Sequence, residues 1–550
     1  MAVVEFDRKD LEQLVGKKLT ERDYEERIPM MGAPLESIDE KTVAYEIFPD
    51  RCDMLSIEGF ARAVRYFLGL ESKIPTYTCG RSGVTLRVDS SVKKVRPCIS
   101  AAVVRNVRLS DEFVSSLMQV QEKLHETLGR KRKKVAIGVH DFDKTKPPFT
   151  YKTAAPESLR FIPLGMSKEL SLLEICEKHE KGVRYAGILK DYNEWPVIID
   201  SAGNVISFPP IINSELTRVS EDTTSLFIEV TGTSETAVNH VLNLLVTSFI
   251  ERGCSVESVE IADGNASKIT PDLTPTKIAI DINYVNRLLG VNLTPTQLKN
   301  LLIKMGVGFD GKHAIIPCYR GDVMHPIDVV EDVAIAYGYG NFEPEVPKIY
   351  TTAERLPRIE YINALKEIMI GLGFQEVVTM VLSNKEYEFE RMNISVEEAC
   401  EIANSVSSEC TICRKSILPS LLRVLTQNMH REFPQKIFEI GEVVVPDERS
   451  ETGARSFYKL GCVISDSKVG YESVACVADA LMRHLGVRYT LERTHSKTFI
   501  EGRAAEIKVG SATLGVMGEV HPEVLEKWSL EMPVAALEIN VDSLFDICAK

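Results

Sequence analysis

Four acidic residues crowd one short segment, RGDVMHPIDVVEDVAIAYGYG: Asp322, Asp328, Glu331 and Asp332. A helix opening near Pro326 relates positions 328, 331 and 332 as i, i+3 and i+4, so they share one face. Asp322 lies just upstream and can fold back toward them. Acids in the first turn of a helix are favoured by its dipole, which explains part of the pattern with no ligand. Three carboxylates on one face repel one another, and a cation or a basic partner would relieve that. A hard, oxygen-rich set of this kind suits magnesium.

A second polar set lies in VISFPPIINSE and LFIEVTGT: Ser207, Asn213, Ser214, Glu229, Thr231 and Thr233. Pro209 and Pro210 restrict the backbone and withhold two donors, which makes PPIINSE a loop beside a sheet. Hydroxyls, an amide and a carboxylate at a strand end can bind a small polar ligand, or can equally be a structural loop.

Other spacings are weaker. GVGFDGKH at 306–313 nearly spells a P-loop, but His313 stands where a magnesium-binding Ser or Thr belongs, and a helix precedes it; it reads as a turn. Cys410 and Cys413 form a lone CxxC without the second pair a zinc ribbon needs, so they read as thiols. GxSxG and HExxH are absent from the sequence. The basic run Arg130–Lys134 is open to two readings, a solvated turn after a helix or a local RNA contact.

The elements that must hold these residues follow from periodicity. Ile57 to Leu68, 111–128, 235–250, 283–289, 296–305, 326–337, 359–371 and 474–485 have helical spacing. Strands are expected at 41–48, TLRVD, AAVVRNV, KVAIGVHD, GVRYAGIL, LFIEVTGT, IAIDI, AIIPCY, KIFEIGEVVV, KLGCVIS, AAEIKVG and VAALEINV. SKITPDLTPT at 267–276 is the expected linker.

At 550 residues the chain exceeds one ordinary core. Apolar residues at 44% and charged residues at 26% are those of a soluble globular protein. No membrane span and no signal peptide are expected. Twelve scattered cysteines read as reduced cytosolic thiols. The net charge of −14 argues against a binder that relies on a global positive field.

Several segments resemble, in order, those of phenylalanyl-tRNA synthetase β subunits of the archaeal/eukaryotic type. FPDRCDMLSIEGFARAVRYFLG resembles the N-terminal element, with DRCD in place of the commoner NRPD. SFPPIINSELTRVSEDTTSLFIEVTGT resembles the B3/B4 domain. RGDVMHPIDVVEDVAIAYGYGNFEPEVP resembles the B5 signature. CRKSILPSLLRVLTQN, KIFEIGEVV and GVMGEVHPEVLEKWSLEMPVAALEIN resemble the catalytic-like module.

The resemblance implies a multidomain α+β chain: 1–78, an N-terminal B1-like α+β domain; 79–268, a mixed α/β editing domain; 269–347, a small winged-helix-like B5 domain; 348–550, a class II synthetase-like antiparallel sheet with helices. That last module is expected to be catalytically inactive and to dock the α subunit, because RKSILPSLL lacks Phe-Arg-x-Glu and GVMGEVH lacks the motif 3 arginine. The implied assembly is a cytoplasmic (αβ)₂ heterotetramer joining L-phenylalanine to tRNA-Phe with ATP in the α subunit. The resemblance assigns Asp322, Asp328, Glu331 and Asp332 to magnesium shared with the α subunit. It makes Ser207, Pro209, Asn213, Glu229 and Thr231 an editing pocket that hydrolyses Tyr-tRNA-Phe. The OB-like and anticodon-binding domains of the longer bacterial type have no room here. Two alternatives stay open: a stand-alone trans-editing hydrolase, and an RNA-binding scaffold.

Overall fold

The computed structural model describes residues 2–548, which divide into a compact unit over 1–346 and another over 347–550.

The first unit begins with a three-stranded sheet, Ala2–Asp7, Thr42–Ile47 and Leu35–Ile38, joined by the helices Arg8–Val15 and Ile57–Phe67. Ser56 caps the second helix by accepting from Gly59 N at 3.0 Å. A Cβ on Gly59 would sit 1.8 Å from the Asp53 carbonyl oxygen, so the DRCD turn and this helix can meet only at glycine. Burial works to raise the Asp53 carboxyl, but the Arg51 guanidinium, bound at 2.8 and 2.9 Å, overrides it and brings it down to about 2.

A ten-stranded sheet follows. Its order begins at Ile212–Asn213 and Val205–Phe208 and ends at Ser225–Gly232 and Val135–Asp141. The sheet curls until its ends meet through side chains: Asn213 Nδ2 donates to the Val139 carbonyl at 3.2 Å, and Ser207 reaches Glu229. Phe149, Tyr151, Ile198, Ile206 and Phe227 fill the inside of the curl. The helices Asp111–Glu126 and Glu235–Glu251 lie against the other face.

A small sheet of Thr276–Ala279, His313–Ile316 and Gly308–Phe309 carries the helices Ile282–Leu289, Pro295–Lys304 and Pro326–Tyr337. Thr294 opens the middle helix with a capping box to Gln297 and Pro295 at its first position. The near-P-loop is the hairpin turn of this sheet, with Asp310 accepting from Lys312 N and His313 N. One apolar core runs from Val4 through Phe60, Val104 and Leu245 to Leu302 and Val333, so the N-terminal element, the outer face of the curled sheet and the small sheet share it.

The second unit is a seven-stranded sheet, antiparallel except where Gln375–Glu376 runs parallel to Gln435–Pro446. Period-2 alternation divides its side chains. Phe438 and Ile440 face the helices Pro357–Gly371 and Tyr471–His484, whereas Ile437 and Val443 face Leu418–Gln427 and Trp528.

Two expectations fail. GVRYAGIL is helical, not a strand: Glu180–Tyr185 is an α-helix and Ala186–Ile188 a 3₁₀ turn. Gly182 serves a helix–helix approach there, since a Cβ would lie 1.9 Å from the Ile175 carbonyl oxygen. The expected linker is half strand: Ala266–Thr270 pairs with Ser255–Asp263, and Thr270 Oγ1 bonds both the amide and the carbonyl of Ala101.

Candidate functional site

Glu229 stands on the central stretch of Ser225–Gly232, directly opposite Gly138 on Val135–Asp141. Its side chain points into the curl and is 2% exposed. Ser207 Oγ donates to Glu229 Oε1 at 2.8 Å, and His140 Nε2 lies 3.9 Å from the same oxygen. Glu229 Oε2 and His140 Nε2 are buried with no hydrogen-bond partner among the described residues. His140 Nδ1 meets Thr217 Oγ1 at 2.9 Å, which fixes the ring with Nε2 toward the carboxylate. Gly138 makes room for these two side chains: a Cβ there would come within 2.3 Å of Glu229 Oε1 and 2.9 Å of His140 Nε2. These side chains fill a small buried chamber that holds one spare acceptor and one spare imidazole nitrogen. An unpaired buried polar group costs about 1–3 kcal/mol, so each of these two atoms calls for a partner.

Of the five sequence-derived pocket residues, the structure joins Ser207 and Glu229 directly. Thr231 is on the same strand, but Arg96 holds it: Arg96 Nε donates to Thr231 Oγ1 at 3.0 Å and Nη2 to its carbonyl at 2.7 Å. Pro209 forms a cis peptide with Pro210 at the hairpin tip. Asn213 is spent on Val139. His140, Gly138, Thr217 and Arg96 escaped the sequence reading. The one signal was a histidine inside a strand with no polar face.

The basic run does not act as one unit. Arg130, Lys131 and Arg132 all have positive φ, 48°, 54° and 66°, a left-handed turn rare for side-chain-bearing residues. It drives Arg132 inward while Arg130, Lys131 and Lys133 stay exposed. Arg132 Nη1 donates to the carbonyls of Pro210 and Ile211 at 3.3 and 3.0 Å, pinning the loop beside the chamber, and its guanidinium lies 4.5 Å from the centre of the Tyr185 ring.

The four acids do not gather around a vacancy. Arg320 donates to Asp322 through Nε and Nη2 and to both Asp332 oxygens through Nη2 at 3.1 and 3.0 Å. Asp328 accepts from Met324 N and His325 N, both at 2.8 Å, and caps the Pro326–Tyr337 helix. Glu331 is exposed. Among the described residues no group of three His, Cys, Asp or Glu side chains is placed to hold a metal ion. Magnesium does not fit these residues in this chain alone, because a guanidinium already supplies the positive charge.

In the second unit Arg414, the residue near the motif-2-like position, is 1% exposed. It donates to Glu439 Oε1 and Thr379 Oγ1 at 2.7 Å and to the Glu442 carbonyl at 2.9 Å. Three of its five N–H donors are spent inside the fold, and at 1% exposure the guanidinium is closed to a phosphate. Cys410 and Cys413 are free, as are the other ten cysteines.

Three family models match successive parts of the chain: the B3/4 domain over 81–273, the tRNA synthetase B5 domain over 278–339, and the phenylalanyl tRNA synthetase beta chain CLM domain over 343–541. Phenylalanine–tRNA ligase beta subunits from Pyrococcus abyssi (strain GE5 / Orsay) and Methanocaldococcus jannaschii are each 41% identical to it, over 99% and 98% of this chain and 100% of theirs. The chain belongs to the phenylalanine–tRNA ligase beta subunit family. A crystal structure of an N-terminal fragment of the phenylalanyl-tRNA synthetase beta subunit from Pyrococcus horikoshii superposes with a TM-score of 0.59 and 39% identity, covering 61% of this chain and 99% of the fragment. The chamber around Glu229 thus lies within the B3/4 domain, the Arg320 network within the B5 domain, and the locked Arg414 within the CLM domain of this beta-subunit family.

Proposed function

We propose that this chain is the β subunit of a phenylalanyl-tRNA synthetase that works with an α subunit in a cytoplasmic (αβ)₂ heterotetramer. The α subunit carries the site that joins L-phenylalanine to tRNA-Phe with ATP, and the β chain removes tyrosine from mischarged tRNA-Phe. Identity of 41% along the full length of the curated relatives carries the first part. The locked Arg414 supports placing aminoacylation elsewhere. Exposed apolar side chains in the second unit, Ile370, Val378 at 86% and Met380, suit a surface that a partner covers. No helix among the described residues is long and apolar enough to cross a membrane, and twelve free thiols accord with a reducing compartment.

The spare Glu229 Oε2 carries the editing part. An apolar pocket discriminates poorly against an added hydroxyl, so a second site that bonds the hydroxyl is needed. A tyrosine phenol donates its one proton to Glu229 Oε2 and accepts from His140 Nε2; a phenylalanine ring leaves both unpaired. Entry requires the Phe208–Ser214 segment to swing aside from its Arg132 pins. The vicinal hydroxyl of the terminal tRNA ribose assists the water. The test is deacylation of Tyr-tRNA-Phe by the αβ complex. Glu229→Ala should slow it about 10–100-fold, the worth of a hydrogen bond to a charged group, while phenylalanylation changes less than about twofold. Unchanged deacylation would remove Glu229 from the reaction. The presence of B5 and CLM matches on the same chain weighs against a stand-alone hydrolase.

A further inference from the structure

A second cleft lies on the opposite face of the Val135–Asp141 strand from Glu229, with a volume of about 400 Å³. Ile137 and Val139 form its floor; Gly138 and His140 alternate to the other side. Val114, Leu117 and Met118 of the Asp111–Glu126 helix make one wall, and the Ile211–Val219 segment makes the other. That size is ordinary for a small-molecule site.

One end of this apolar cleft carries donors without acceptors. His125, 3% exposed, accepts the Ile137 amide at Nε2 at 2.9 Å, so its neutral ring carries the proton on Nδ1. Nδ1 is buried with no partner, and so is Arg132 Nε. Both residues line the cleft. Lys181 lines it too, and its ammonium makes no hydrogen bond or ion pair among the described residues. Glu122 is the one carboxylate that lines the cleft; Arg218, the third lining cation, is paired with Glu215 at 3.2 Å, and Glu180 and Arg184 act on Lys181 from outside the lining with opposite sign. Glu122 Oε1 lies 3.0 Å from Arg132 Nη2 and 3.8 Å from His125 Nδ1, and its side chain is 48% exposed at the mouth. Two cations and two orphan donors thus face one anion that stands partly in solvent. The shortfall is one negative charge with planar acceptors, at the end of an apolar trough. Glu122 already holds Arg132 through a single bond from Nη2, which leaves Nε for a second carboxylate.

We propose that this cleft is a binding site for a small amphipathic monocarboxylate, its apolar body between Leu117 and Ile212 and its carboxylate on His125 Nδ1, Arg132 Nε and Lys181. The cleft lies across the strand from Glu229 but shares Thr217, Arg132 and the Ile211–Ser214 wall with that chamber's surroundings, and its binding is read without deacylation.

The test uses the full-length chain and 3-phenylpropionate as probe, with calorimetry and ligand-observed NMR. Expected is saturable one-to-one binding, with the uncharged 3-phenylpropanamide about tenfold weaker, as loss of a charge-assisted pair implies. Lys181→Met, which removes a cation without a structural bond, weakens the acid by about the same factor and leaves the amide unchanged. Met118→Trp, at an exposed wall position, blocks both. Equal binding of acid and amide overturns the proposal, as does binding that survives Met118→Trp. Displacement of the probe by inorganic phosphate at comparable concentration overturns the carboxylate class. Failure of 3-phenylpropionate to bind the folded chain overturns the site.

Discussion

Arg320 meets both carboxylate oxygens of Asp332, at 3.1 and 3.0 Å, while the same guanidinium holds Asp322. Two acids that read from the sequence as metal ligands are therefore partners of an arginine. Breaking such a buried pair leaves an uncompensated charge, at a cost of about 3–5 kcal/mol. Asp332→Ala should lower stability by that order in urea unfolding of the 1–346 unit. Glu331→Ala, at an exposed position, should stay within about 0.5 kcal/mol of the parent.

Magnesium addition tests the same feature from the other side. With Arg320 in place, millimolar MgCl₂ should leave the melting temperature of the isolated chain unchanged. A rise of several degrees that vanishes in Asp328→Ala would show that the acids rearrange around the ion.

Gly138→Ala should crowd the chamber while keeping Glu229 and His140 in the chain. The new methyl meets Glu229 Oε1 and His140 Nε2. Overpacking of this kind costs about 1–3 kcal/mol. Tyr-tRNA-Phe deacylation should fall at least about tenfold, with phenylalanylation by the αβ complex retained. Retained deacylation in a folded variant would mean that substrate does not enter there.

Glu388 gives the second unit a pH dependence. Burial pushes its carboxyl up to about 7, against the pull of amides donated by Lys415 and Ser416. The folded state then holds a proton that the unfolded state has released above its ordinary value of 4.5. Stability must fall as pH rises from about 4.5 to 7 and level off above, by up to about 3 kcal/mol. Glu388→Gln should flatten that slope and raise stability at pH 8; a slope that persists in the variant would assign the effect to another group.

The helices were legible because their signals are local. Ser56 and Gly59 start one, and Thr294, Pro295 and Gln297 start another. The alternation in KIFEIGEVVV likewise sorted the two sides of its sheet. Pairing between distant segments left no such trace. Arg96 and Thr231 are 135 residues apart, and nothing near either announces the other. Arg132 looked like one of five equivalent cations until three left-handed residues turned it inward. The acidic face of the Pro326–Tyr337 helix was visible, but the arginine that neutralises it depends on how the Arg320–Asp322 turn folds back. Ser207 and Glu229 were grouped correctly because the two segments flank one loop; Asn213 belonged to the same segment and went elsewhere.

The core that runs from Val4 to Val333 bears on how the chain is made. Ser56 and Ser248 meet at 2.9 Å across 192 residues, and Arg252 reaches back to Asp10 and Glu58. A ribosome adding ~5–20 residues per second needs roughly 10–40 s to deliver the second partner after the first. Phe6 and Tyr45, made earlier, already pack on Phe60, but through that interval the side of Ile57–Phe67 that meets Glu235–Glu251 has emerged with nothing to cover it. That face of an early-made helix is among the last surfaces to be buried, and the nascent chain is most exposed to aggregation, and most in need of a chaperone, before residue 252 has left the tunnel.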